Sequence, residues 1–159
     1  MNLQTGDYPD AVAGFRQALD SDPQNVDAYL GLGRAYNSLG RSLDAEHQFR
    51  RAIQISPQCW QCYNLLGNFL ISHARYREAA EAWQQIIELT PDNKWGYMNV
   101  GVAYYSAGQF ERAEEAFRGA LRIAPGDADL YSNIGSAIYF LGRFDEDAKY
   151  CLLYTSRCV

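Results

Sequence analysis

The chain of 159 residues is poor in positive charge, in cysteine and in unbroken apolar stretches. Lysine and arginine number 14 against 19 aspartates and glutamates, a formal net charge of −5. Nucleic-acid binding rests on clustered cations facing phosphates, so this balance argues against it. No run approaches the ~18 consecutive apolar residues of a membrane-spanning helix, so no membrane segment is expected. The opening "MNLQTGDYPDAVAGF" lacks a basic stretch followed by an apolar core, and no export signal is expected from it. A reducing, cytoplasmic setting is then the default, where four cysteines in a chain of this length do not make a disulfide framework.

Motifs that carry chemistry are also scarce. "GLGRAYNSLG" at 31–40 is glycine-rich but follows no strand and lacks the spacing of a phosphate-binding loop. No Ser, His and Asp grouping stands out, and no pair of carboxylates sits on an otherwise apolar face. The charge run "ERAEEAF" at 111–117 reads as a solvated helix face. These absences point away from an enzyme, and no catalytic residue, cofactor or metal is expected.

What the chain does have is a period. Pro23, Pro57, Pro91 and Pro125 are spaced 34 residues apart. In the same register stand Tyr29, Tyr63, Tyr97 and Tyr131, then Gly33, Gly67, Gly101 and Gly135, then Ala11, Ala45, Ala79 and Ala113. Phe15, Phe49, Trp83 and Phe117 form a column of large aromatics. Within one period, Tyr97, Val100, Tyr104 and Ala107 mark one face of a helix, and Gly108 stops it. Phe110, Ala113, Ala116, Phe117, Ala120 and Leu121 form the apolar side of a second helix, ended by Pro125 and Gly126. The small residues, Gly101 and Ala113, leave room where paired helices cross, and Phe117 fills the volume between successive pairs.

This pattern resembles the tetratricopeptide repeat, a helix–turn–helix unit of 34 residues. The stretch 60–93 carries its signature through Tyr63, Leu66, Gly67, Leu70, Ala79, Trp83 and Pro91. The resemblance implies an all-α fold, a right-handed superhelical solenoid of antiparallel helix pairs. In this register one domain spans 1–150: a partial repeat 1–25, repeats 26–59, 60–93 and 94–127, and an incomplete repeat 128–150 in which Ala148 falls one residue late. The tail "CLLYTSRCV", 151–159, has no repeat pattern and no polar capping face. The chain is therefore expected to be a fragment of a longer protein, and the tail is read either as native or as a frameshift or sequencing-end artefact. Uncapped terminal repeats would allow end-to-end self-association.

"SPQCWQC" at 56–62 holds a Cys-x-x-Cys pair with three readings. Cys62 shares a column with Ala28, Gly96 and Leu130, which favours packing, since a free cysteine behaves as a small hydrophobe. Cys59 shares one with Asn25, Asn93 and Asp127. A redox pair draws its reactivity from a helix N-terminus, which lies close by, but the thioredoxin-like setting has a strand and none is expected here. A zinc site needs four ligands, and His47, His73, Cys151 and Cys158 are not at ligand spacing. Cys59 and Cys62 are accordingly expected to be linker and packing residues.

The resemblance also implies that the first helices of the repeats line a concave groove that binds a protein or an extended peptide. Its positions here include Arg34, Asn64, Asn68, Trp95, Asn99, Tyr105, Asn133 and Tyr139. A clamp for a C-terminal carboxylate would need cations where Asn64, Asp129 and Asn133 stand, so that variant is rejected. A row of amides, Asn64, Asn68, Asn99 and Asn133, matches peptide groups regardless of side chain. Trp95, Tyr105 and Tyr139 would serve as aromatic anchors. The expected function is a non-catalytic protein–protein interaction scaffold. The alternative is the C-terminal regulatory region of a larger bacterial signalling enzyme, a kinase, cyclase or winged-helix regulator.

Overall fold

A computed structural model describes residues 7–144. Residues 1–6 and 145–159, and with them Ala148, Cys151, Cys158 and the tail, lie outside the described residues. Eight helices, and no strand, occur among the described residues: α1 (Tyr8–Ser21), α2 (Val26–Ser38), α3 (Ser42–Ile55), α4 (Trp60–Ser72), α5 (Tyr76–Leu89), α6 (Lys94–Ser106), α7 (Phe110–Ile123) and α8 (Ala128–Phe140). The even-numbered helices start at residues 26, 60, 94 and 128, and the odd-numbered ones at 8, 42, 76 and 110, so both series keep the 34-residue period.

Local chemistry sets these boundaries. Three even-numbered helices open on a side-chain cap. Asn25 Oδ1 accepts from the Ala28 N–H at 2.9 Å, Asn93 Oδ1 from Trp95 at 3.0 Å, and Asp127 Oδ1 from Asp129 at 3.2 Å. The turns that follow contain Gly40, Gly108 and Gly142 at φ of 71°, 71° and 73°, the left-handed conformation that glycine adopts without a Cβ clash. Ala74 occupies the same place in its repeat at φ 57° and bears that clash. The odd-numbered helices end two residues before each proline of the repeat, where the missing N–H rules out another helical bond. The tyrosine column gains a bonding role at the same junction. Tyr29 OH donates to the Pro23 carbonyl at 3.2 Å, and Tyr131 OH to that of Pro125 at 3.0 Å.

The chain divides into two compact units, one ending at Phe69 and the other beginning at Leu70. In the first, a Cβ added to Gly33 would collide with the Phe49 ring, so the absent side chain is what lets α2 and α3 close. Phe49 also meets Phe69, ring centroids 5.7 Å apart. Leu32, Ala35, Tyr36, Ala45 and Ala52 are buried in the same unit. Arg16 on α1 donates to Tyr36 OH on α2 at 2.8 Å.

The second unit repeats the arrangement two periods further along the chain. The ring of Phe117 fills the place of a Cβ on Gly101. It lies in a buried cluster with Ala113, Ile134, Ala137 and Ile138, against which Met98, Tyr104, Tyr105 and Leu121 pack. Phe117 thus joins α6 and α7 to α8, the role its column implies.

One expectation is corrected here. The run 111–117 is not uniformly a solvated face, because Glu114 is 4% exposed. Its carboxylate meets Arg118 one turn on at 2.7 Å and Arg143, in the turn after α8, at 2.8 Å. Position 114 shares its place in the repeat with Val12 and Ala80, both buried, and with Glu46, whose side chain is 15% exposed, so its burial follows the period rather than the charge.

Candidate functional site

Helices α6 and α8 lie side by side in the second unit, tied at both ends. At their N-terminal ends Lys94 Nζ pairs with Asp127 Oδ2 at 2.6 Å. At their C-terminal ends the Tyr105 ring meets Phe140 edge-on, centroids 5.7 Å apart. The ion pair is largely shielded, with side-chain exposures of 30% and 18%. The Lys94 hydrogen bond holds the Asp127 carboxyl below its ordinary value of 3.8, aided by the Lys94 charge and the Asp129 and Leu130 N–H groups, while burial opposes them.

Between these ties the two helices present the residues expected of a binding face. On α6, Trp95 is 56% exposed and Val102 38%, with Asn99 and Tyr105 half-buried. Lys94 Nζ stands 4.7 Å from the Trp95 ring centroid, a cation on its aromatic face. On α8, Asn133 is half-buried, Ser132 and Ser136 are exposed, and Tyr139 is 55% exposed. Trp95, Asn99, Tyr105, Asn133 and Tyr139 therefore share one helix pair. Arg34, Asn64 and Asn68 belong to the first unit: Arg34 is exposed on α2, Asn64 half-buried and Asn68 exposed on α4.

The sequence reading missed two parts of this surface. The Lys94–Asp127 pair joins residues 33 apart, almost one full period, which would have marked them as neighbours. Phe140 stacks on Phe110 with centroids 4.8 Å apart and planes 14° apart, and Tyr139 meets both Phe140 and Phe144. Its signal was a broken column, for Phe140 stands where Ser38, Ser72 and Ser106 stand in the other repeats. The result is an aromatic group, with Phe140 57% and Phe144 60% exposed.

A separate crevice of about 260 Å³ opens among α5, α6 and α7, lined by Gln84, Tyr97, Tyr104, Arg112, Glu115 and Arg122. Tyr97 and Tyr104 fall roughly opposite Trp95 and Val102 around α6, so this crevice is not part of the α6–α8 face. Arg112 is held there over the Tyr104 ring, 4.6 Å from its centroid.

The cysteines correct a second expectation. Cys59 and Cys62 are joined in a disulfide, Cα atoms 5.3 Å apart, rather than standing as separate thiols. The physical reason is register. Cys59 immediately precedes α4 and Cys62 is its third residue, and two residues so placed on the first turn face each other. The packing part of the expectation holds for Cys62, which is 0% exposed. Among the described residues no group of three or more His, Cys, Asp or Glu is arranged to hold a metal ion, and no helix is long and apolar enough to cross a membrane.

Comparison with known proteins places the chain. The crystal structure of MamA matches with a TM-score of 0.82 at 27% identity, covering 99% of this chain and 95% of that one. A second MamA structure matches with a TM-score of 0.82 at 28% identity, covering 96% and 83%. MamA residues 41-end from Desulfovibrio magneticus RS-1 share the fold at 17% identity, with a TM-score of 0.80 over 98% and 88% of the two chains. No curated protein matches by sequence. The sequence model of the tetratricopeptide repeat matches residues 3–58, 64–128 and 104–157. The chain belongs to the tetratricopeptide-repeat family, and with it to the helical-repeat scaffolds of protein–protein interaction.

Proposed function

We propose that the α6–α8 face binds an extended segment of a partner protein, and that the chain acts by this binding rather than by catalysis. The observation that carries the reading is the composition of that face. It alternates polar amides, Asn99 and Asn133, with exposed apolar surface, Trp95, Val102 and Tyr139. An amide offers two donors and an acceptor, the complement of a peptide group, whereas the aromatic rings supply area at small entropic cost. Ties at both ends hold the two helices parallel before any ligand arrives, which lowers the ordering cost of binding.

Charge narrows the ligand. Asp129 is exposed at the start of α8, and Lys94 is already engaged with Asp127. A segment bearing a carboxylate terminus would meet Asp129 without a spare cation, so an internal, uncharged or basic stretch of chain suits the face better. Selection of peptides from a displayed random library on the folded chain, followed by backbone amide shift mapping, tests this. Shifts gathered on α6 and α8 support the reading. Shifts gathered around Arg112, Glu115 and Arg122 would transfer the binding site to the crevice among α5, α6 and α7 and overturn it.

A further inference from the structure

The cysteine pair is more than packing requires. In the sister repeats, the place of Cys59 is filled by Asn25, Asn93 and Asp127, whose side-chain oxygens cap the helix that follows. The place of Cys62 is filled by Ala28, Gly96 and Leu130, all buried. Capping therefore needs no sulfur at 59, and packing needs none at 62. Only at the junction of repeats 26–59 and 60–93 do two sulfurs occupy both places, and there they bond to each other.

The two sulfurs differ in access. Cys59 is half-buried at the mouth of α4, whereas Cys62 is 0% exposed. The Cys62 N–H is shared between the Cys59 carbonyl at 3.0 Å and the Cys59 Sγ at 3.2 Å. Cys59 Sγ thus sits where the asparagine oxygen sits in α2 and α6, at the N–H end of a first helical turn, which favours negative charge on the sulfur it faces. The segment from Ser56 to Ser72 contains no charged residue, which leaves the N–H groups as its own source of that stabilisation. Beside the pair, Trp60 is 40% exposed and gives an incoming chain or thiol a flat apolar ring to lie against.

We infer that Cys59 and Cys62 are a reversible dithiol–disulfide couple, with Cys59 as the sulfur that exchanges with external thiols and disulfides and Cys62 as the resolving sulfur. In the oxidising direction the Cys59 thiolate attacks one sulfur of an external disulfide R–S–S–R. The Cys59–S–S–R bond forms and R–S⁻ leaves, taking a proton from water. The Cys62 thiolate then attacks Cys59 Sγ, the intramolecular disulfide forms, and the second R–S⁻ departs and is protonated. The balance is two protein thiols plus one external disulfide giving one protein disulfide plus two external thiols. In reverse, an external thiolate attacks Cys59 Sγ and the Cys62 thiolate is the leaving group. The external couple is a low-molecular-weight thiol and its disulfide, of which glutathione is the test case.

The full chain is equilibrated in mixtures of reduced and oxidised glutathione, quenched in acid and alkylated. The tryptic peptide 52–75 contains both cysteines and neither Cys151 nor Cys158, so its mass reports this pair alone. The expected result is passage from two alkyl groups to none within the range of the mixtures, with no singly alkylated form at equilibrium. A peptide that stays bridged in the largest excess of reduced glutathione, or stays fully alkylated in oxidised glutathione, overturns the inference. Two variants that copy sister repeats assign the sulfurs. Cys62→Ala should accumulate one glutathione at Cys59. Cys59→Asn, which keeps a cap, should react at Cys62 at least about tenfold more slowly, because that sulfur is covered. Equal rates, or the reverse order, refute the assignment. The wild-type titration stands whether or not either variant folds.

Discussion

Ala74 is the one non-glycine residue in the left-handed region among the described residues, at φ 57°, while its counterparts Gly40, Gly108 and Gly142 stand at 71–73°. An L-residue in that conformation brings its Cβ against the following carbonyl, at a cost of about 1–2 kcal/mol. Replacing Ala74 by glycine removes that clash, but it also gives the unfolded chain more freedom, which takes back about 0.4–1 kcal/mol. Ala74 is exposed, so no buried methyl is lost. The net expectation for Ala74→Gly is a gain of about 0.5–1 kcal/mol, or a Tm higher by about 1–4 °C for a chain of this size. Gly108→Ala is the mirror experiment. Nothing lies within 4 Å of the Cβ it would add, so its penalty is purely conformational and should have the same size with opposite sign. Thermal unfolding followed by circular dichroism, with urea titration as a second measure, reads both variants. Because each effect is a local backbone term at an exposed turn, the double variant should return close to the wild-type Tm. A lower Tm for Ala74→Gly, or no change in either variant, would refute the reasoning that this column is set by backbone strain.

The aromatic column should be costly to empty and costly to overfill. Phe117→Ala should lose about 3–5 kcal/mol in urea unfolding, and Gly101→Ala, which drives a methyl into the Phe117 ring, about 1–3 kcal/mol. Glu114→Ala should cost less than the removal of one member of a fully buried pair, about 1–3 kcal/mol, since Arg118 and Arg143 are 43% and 40% exposed and water solvates them once freed. Asp127→Asn keeps a capping oxygen but loses the Lys94 ion pair, worth about 0.5–1 kcal/mol at pH 7. The Asp127 pKa is lowered in the folded state, so that contribution is complete above the ordinary value of 3.8 and disappears as pH falls through the lowered value. Urea midpoints of wild type and Asp127→Asn should therefore differ near neutrality and converge in acid; a difference that grows in acid would contradict the assignment.

Much of this was legible in the chain because a repeat states its own geometry several times over. The 34-residue period placed every described helix, and the aromatic column located Phe117 in the packing between α6, α7 and α8. Glu114 escaped because charge type was allowed to outweigh register; Val12 and Ala80 in the same column carried the correct information. The disulfide escaped for a different reason. Spacing set Cys59 and Cys62 facing each other on one helical turn, but their columns hold capping residues and buried apolar ones in the sister repeats, and that precedent favoured packing. The Lys94–Asp127 tie is a contact between repeats, and its signal was a separation of almost one period rather than a column of like residues. The division after Phe69 leaves no mark in the sequence, where the period runs through it unchanged.

The claim that matters most is that the amides of the α6–α8 face hold a peptide backbone. The direct measurement is the affinity of a library-selected peptide for the wild-type chain and for the double variant Asn99→Ala, Asn133→Ala, read by calorimetry with Tm recorded in parallel. Two neutral hydrogen bonds at roughly 0.5–1.5 kcal/mol each predict a loss of about 1–3 kcal/mol, some five- to 150-fold in Kd, with Tm little changed. A peptide that binds both chains equally, and loses affinity instead when Arg112 or Arg122 of the crevice is replaced, would contradict the account.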